Sequence, residues 1–269
     1  MTIILLLVLV GMLALMYTLL LAVSRANLPG QRGPEPGEVE NLLGLRVALP
    51  FALSMLSSFG SFLAVILIAG SMGSEYNWRT IRIAAMNSES RAKMLWAKLI
   101  AVGIFVFFGM IIAIVAGFII SLITTAIGGY KFDFSFMTFS YLWRQWLQFC
   151  RTFYALVPFI SLGFMLSIVG RSVIPGIGLG IGVLFLEGVV TMFMALSGGW
   201  IARIPAYLPE TNARAINALS DLPSGIMMGM SGGASELPGP IHAAIVLAIY
   251  SVVFLGISFY VFHKRDVGA

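Results

Sequence analysis

A carboxylate within apolar sequence is the first candidate for chemistry in this chain. Glu187, in VLFLEGVV, stands near the middle of a long apolar run. An ionised carboxylate at the centre of a membrane helix costs about 2.5–3.5 kcal/mol, so the side chain must face other helices or water, or be protonated. Both a functional intramembrane acid and a neutral hydrogen-bonding group fit. His242 and His263 fall at opposite ends of one apolar run, roughly 30 Å apart at 1.5 Å per residue, and do not share a site. The single cysteine, Cys150, has no partner for a disulfide or a Cys-based metal site. No HExxH, no GxSxG and no clustered acidic metal box occurs, so hydrolysis or phosphoryl transfer within this chain is not expected. The glycines of PGIGLGIG pair as Gly176 with Gly180 and Gly178 with Gly182. A phosphate loop needs a Lys followed by Ser or Thr after its last Gly, which is missing here, and the spacing points to close helix packing.

The second chemically dense stretch is GSEYNWRTIRIAAMNSESRAKMLWAKL, Gly73 to Leu99, which holds Arg79, Arg82, Arg91, Lys93 and Lys98. Glu75 and Arg79 stand four apart in the favourable order for a helical ion pair, with Arg82 following on the same face. Trp78, Ile81 and Ala85 form a second stripe at helical spacing. This two-sided pattern predicts a short helix lying along the membrane surface, either a solvated loop element or a docking helix for a partner. NSES interrupts it, and Asn87 or Ser88 is expected to cap the next helix with Glu89 in its first turn.

These residues are carried by a chain of 269 residues, 59% hydrophobic and only 10% charged, where soluble domains average about 25% charged. It reads as an all-α polytopic membrane protein. Apolar runs of about 20 residues or more must be helices, since each backbone group has to be satisfied within its own segment. Six transmembrane helices are expected over 3–23, 47–70, 94–125, 152–169, 173–197 and 241–262, forming one transmembrane domain over 1–269 with a polar segment at 73–93. The first run exceeds the core of a signal peptide and reads as a retained span. Between the third and fourth, GGYKFDFSFMTFSYLWRQWLQFCR holds seven aromatics from Phe132 to Trp146. The alternation of Phe132, Phe134 and Phe136 suggests a strand or an extended interfacial segment, and the aromatics suit headgroup anchoring. Gly170, Arg171 and Ser172 make the fourth and fifth spans a tight hairpin. In YLPETNARAINAL, Glu210 to Leu219 has helical character, with Thr211 as a possible N-cap.

The net charge is +5, which in a membrane protein suits anionic lipid headgroups, with no nucleic acid implied. Six spans put both termini on one side. The two sides carry eight basic residues each, but Arg79, Arg82, Arg91, Lys93, Lys98, Arg171, Lys264 and Arg265 fall in the shorter segments. Their density makes that side, and both termini, cytoplasmic.

Gly73 to Leu99 resembles the membrane (permease) subunits of exporter-type ABC transporters. There a second span exits into glycine, any residue, glutamate and an aromatic, then threonine-arginine, then a basic helix. Here Glu75, Tyr76, Thr80, Arg82, Arg91 and Lys98 hold the matching places, and Arg79 stands where glycine is usual. YLPETNARAINAL and the terminal VFHKRDV are similar to the same family, and the order of motifs covers nearly the whole chain. Members usually begin with a basic amphipathic helix, whereas this sequence begins with an apolar run.

The resemblance implies a permease in the bacterial cytoplasmic membrane that pairs with a second permease subunit, identical or related. Two separate ATP-binding subunits would hold ATP and Mg, so this chain is not itself an enzyme and carries no cofactor. Glu75, Tyr76, Trp78, Arg79, Thr80 and Arg82 would receive the ATPase, and export is the implied direction. A permease-like subunit of a larger assembly that transports nothing, and an ion-coupled carrier using Glu187, are the alternatives. Cysteines placed at positions 89 and 221 test the topology: an impermeant thiol reagent applied to intact cells should label 221 and leave 89 unlabelled.

Overall fold

The apolar runs do satisfy their own backbone: each is an α-helix. The computed structural model describes residues 2–25, 44–77, 90–129, 132–197, 199–220 and 237–264. Among these residues seven α-helices follow in order: α1 Thr2–Arg25, α2 Leu45–Asn77, α3 Arg91–Gly128, α4 Phe139–Gly170, α5 Val173–Ser197, α6 Pro209–Asn217 and α7 Pro240–Lys264. A 3-10 helix, Ile201–Tyr207, precedes α6. Among the described residues there is no strand. Five of the described helices are long and apolar enough to cross a membrane: α2, α3, α4, α5 and α7. Helix α1 is apolar over Ile3–Leu19. The chain is an all-α, polytopic membrane protein.

Helices α2 and α4 form the central pair. Helices α3 and α5 flank α2, α5 and α7 flank α4, and α1 lies outermost on α3. One core joins Leu13, Tyr17, Phe51, Met55, Met110 and Phe149 from the first four helices. Edge-to-face rings lock it: Tyr17 on Phe51 at 4.9 Å and Phe107 on Phe149 at 5.1 Å, each worth about 0.5–1.5 kcal/mol beyond burial. At the opposite end of the bundle a second core joins Ile68, Met72, Leu95, Val102, Phe164 and Phe262. The third gathers Val65, Phe159, Leu184, Ile216 and Leu247 around α6.

The helix ends differ from the sequence expectation where local capping overrides hydropathy. Helix α2 runs past Gly70 to Asn77, since nothing in GSEYN supplies a stop. Helix α3 is capped by Ser90, whose side chain accepts the Lys93 N–H at 3.2 Å, so Glu89 precedes the cap and is not in the first turn. Asn87 and Ser88 lie outside the described residues. Helix α3 ends on Gly129 in the left-handed region, φ 72°. Helix α4 starts at Phe139, well before Thr152, because Thr138 caps it by accepting the Tyr141 N–H at 3.3 Å. Its 32 residues reach about 48 Å, beyond a hydrocarbon core of about 30 Å. Most of the expected interfacial aromatics therefore sit on the first turns of α4. The preceding Phe132–Phe136 is no strand: Ser135 and Phe136 form a turn, and the Ser135 N–H and hydroxyl both donate to Asp133, holding its carboxyl below the usual range. Helix α5 keeps its expected bounds, entered from Arg171 at φ 52°.

The two glycine ridges of α5 have different fates. A Cβ on Gly176 would run into Ser167 Oγ and one on Gly180 into Val65 Cγ1, while Gly178 and Gly182 face open space. The Gly176–Gly180 ridge thus packs α5 against α2 and α4. Gly180→Val is expected to destabilise the protein by about 1–3 kcal/mol through overpacking, and Gly178→Val by less than ~0.5 kcal/mol, as read by thermal unfolding in detergent.

Candidate functional site

Two polar sites stand at opposite ends of the bundle, and each contains residues singled out by the sequence. The first lies where α2 leaves the core. Glu75 and Tyr76 extend α2 as regular helix, so this part of the segment continues the span and does not turn along the surface. The Lys98 ammonium donates to the Glu75 carboxylate across a sequence separation of 23. Both side chains are mostly buried, 21% and 25% exposed. Trp78, Arg79, Thr80 and Arg82 lie outside the described residues, and with them the expected Glu75–Arg79 pair. Tyr76, Met94 and Leu99 pack over the core around Met72 and Leu95.

A second contact roots this end of α2. A Cβ on Gly73 would stand 2.5 Å from the Val173 nitrogen and 2.8 Å from the Ser172 carbonyl carbon. Only glycine allows α2 to touch the backbone of the α4–α5 turn there. The helices flanking segment 78–89 are therefore joined to each other by an ion pair and to the α4–α5 hairpin by backbone contact.

At the other end, Glu187 on α5 is 7% exposed. Its Oε1 accepts the Glu210 backbone N–H at 2.5 Å. Glu210 sits in the first turn of α6, after Pro209 at the first helical position. Thr211 is therefore inside the helix and not its N-cap; the cap position falls on Leu208, whose side chain makes no capping hydrogen bond. Glu187 supplies the missing acceptor from another helix. Burial pushes the Glu210 carboxyl above its usual range, with Arg214 pulling the other way through a 3.3 Å Nε contact.

The far end of α6 is held by α4. Asn217 Oδ1 accepts from the Thr152 hydroxyl at 2.8 Å, and Gln148 Nε2 donates to the Asn217 carbonyl at 3.3 Å. Between the ends, Asn212, fully buried, donates to the Ala206 and Leu208 carbonyls at 2.8 and 2.7 Å. His242 on α7 donates from Nε2 to Ala206 O at 3.0 Å, which fixes its tautomer. A cavity of about 310 Å³ lies beside Glu187, among Phe159, Leu162, Leu184, Leu208, Tyr250 and Phe254.

The two sites do not meet. Glu187 joins Glu210, and Glu75 joins Lys98. Sequence reading flagged Glu187 but missed Leu208, Thr152, Gln148 and Asn217. Pro209 was a usable signal, since proline at the first helical position puts the N-cap one residue earlier, on Leu208. Among the described residues no group of three or more His, Cys, Asp or Glu is placed to hold a metal ion.

The fold and sites describe a multi-pass helical membrane protein with one polar anchor at each end. The chain belongs to the family described as protein of unknown function DUF2705, whose model matches residues 38–268. It is also similar to the uncharacterized protein YhcI of Bacillus subtilis (strain 168), 25% identical over 212 residues, with 76% of this chain and 63% of that protein covered. The match thus spans less than two thirds of the length of that relative.

Replacing Lys98 with Met should lower stability by about 0.5–1 kcal/mol, the range for a partly exposed pair. Reversing the pair, Glu75→Lys with Lys98→Glu, should recover most of that loss. Denaturant or thermal unfolding of the two single variants and the double variant isolates the coupling.

Proposed function

We propose that this chain is the permease subunit of an exporter-type ABC transporter. It pairs with a second permease subunit and is driven by separate ATP-binding subunits that hold ATP and Mg. In this reading it has six spans, with both termini on the cytoplasmic side of the bacterial membrane. The motif order from Gly73 to Leu99, at YLPETNARAINAL and at VFHKRDV supports the family assignment.

The observation that carries the reading is how the helices flanking segment 78–89 are joined. Its flanks, α2 and α3, are clamped by Glu75 and Lys98, and Gly73 rests on the α4–α5 turn. A force applied at the ends of α2 and α3 that flank the segment reaches four spanning helices. Coupling then requires that an ATPase contact this end differently in two states, because only differential contact shifts a conformational equilibrium. The Glu187 carboxylate accepts a backbone N–H, which favours a positioning role over ion carriage.

The test is purification from native membranes in mild detergent, followed by an ATPase assay. An ATP-binding subunit should copurify, and Glu75→Ala with Arg82→Ala should cut its stimulated activity about tenfold, within the 5–150-fold typical of coupling free energies. Absence of any copurifying ATP-binding subunit overturns the proposal.

A further inference from the structure

The contact between α5 and α6 has a form that ordinary helix packing does not require. Helix α6 has nine residues, too few to be stable alone in water. It rests mainly on α7 and α4, whereas its contact with α5 is slight. What joins it to α5 is the Glu187 carboxylate, which accepts from the Glu210 N–H and also from the Thr211 N–H.

That carboxylate does the work of an N-cap. The first N–H groups of a helix have no partner within it, and a Ser, Thr, Asp or Asn at the cap position normally accepts one. Here Leu208 has the extended backbone of a cap residue, φ −85° and ψ 142°, but no acceptor on its side chain. Pro209 contributes no N–H, so the Glu210 N–H is the first orphan donor, and a carboxylate 23 residues earlier accepts it. A negative group at a helix N-terminus also complements the helix dipole. The other end of α6 is tied to α4 through Thr152, Gln148 and Asn217. The helix is thus tied at its C-terminal end to α4 and at its N-terminal end to α5 by one carboxylate, with Asn212 and His242 holding the turn before it and a cavity of about 310 Å³ beside the carboxylate.

We propose that Glu187 is a latch: a cap supplied by a spanning helix, whose withdrawal when α5 shifts frees the N-terminal end of α6 to swing about its anchor at Asn217. The cavity beside the latch gives α5 and Leu208 room for that shift. Opening this end of the bundle therefore needs one carboxylate to release the first N–H groups of α6, while the Asn217 anchor on α4 stays in place. The latch does not depend on the transport reading.

Hydrogen exchange on the full chain in nanodiscs tests it. Glu187→Leu should speed exchange at Glu210 and Thr211 about tenfold or more, the scale of a lost hydrogen bond to a charged group. The effect should fade toward Asn217, and α4 and α7 should stay protected. Leu208→Asp in that background restores a local cap and should bring exchange at 210 and 211 back to within about threefold of the parent. Should Glu187→Leu fail to fold, Glu187→Gln with and without Leu208→Asp carries the same comparison: the neutral acceptor speeds exchange a few-fold, and the added Asp reverses it. Unchanged exchange at 210 and 211 when Glu187 is replaced, a uniform rise through Asn217, or failure of Leu208→Asp to restore protection overturns the latch.

Discussion

The structure depends on the requirement that every buried backbone N–H find an acceptor. Within an apolar bundle an unpaired donor costs several kcal/mol, and the spanning helices escape this by pairing internally. Helix α6 cannot, because it begins inside the bundle with Pro209 and an apolar cap residue. The solution draws on three spanning helices: Glu187 from α5 at its start, Thr152 and Gln148 from α4 at its end, and His242 from α7 on the turn before it. Thr152, Asn212 and Asn217 and the Gln148 amide nitrogen each meet a backbone or side-chain group, while Gln148 Oε1 and Asn212 Oδ1 have none among the described residues. A lone acid in VLFLEGVV becomes intelligible as the partner of a donor that the local sequence leaves orphaned.

The opposite end is governed by approach distance. Gly73 at the α4–α5 turn, and Gly176 and Gly180 along α5, mark places where a Cβ would strike a neighbour. Such contacts gain dispersion energy without a hydrophobic driving force, which lipid cannot supply between helices. They also leave little slack: a helix seated on another backbone moves with it. The partly buried Glu75–Lys98 pair adds a fixed distance between α2 and α3. This end is held by close packing where the other is held by polar side chains.

Much of this architecture was legible in the sequence, and the failures share a cause. Helix α5 was placed with its bounds because turn residues at Gly170–Ser172 and Gly198 punctuate a uniformly apolar run. The first turns of α4 were lost because Arg144, Gln145 and Gln148 dilute the hydropathy. Yet Tyr141, Gln145, Gln148 and Thr152 are all buried and recur at three- and four-residue spacing, a helical stripe that happens to be polar. The Glu75–Lys98 pair was not legible, since it joins two helices through tertiary packing, and the nearer Arg79 offered a plausible local partner. Glu187 was visible as an anomaly, but its partner is a backbone amide, which no side-chain pattern advertises.

The cap borrowed by α6 has a consequence for biogenesis. Its hydrogen-bond partners at Thr152, Gln148 and Glu187 lie earlier in the chain, on helices that enter the membrane before it, while the helix it rests on, α7, is made after it. A nine-residue helix without its own cap and without its floor has no stable position. Helix α6 therefore settles only when α7 has been inserted.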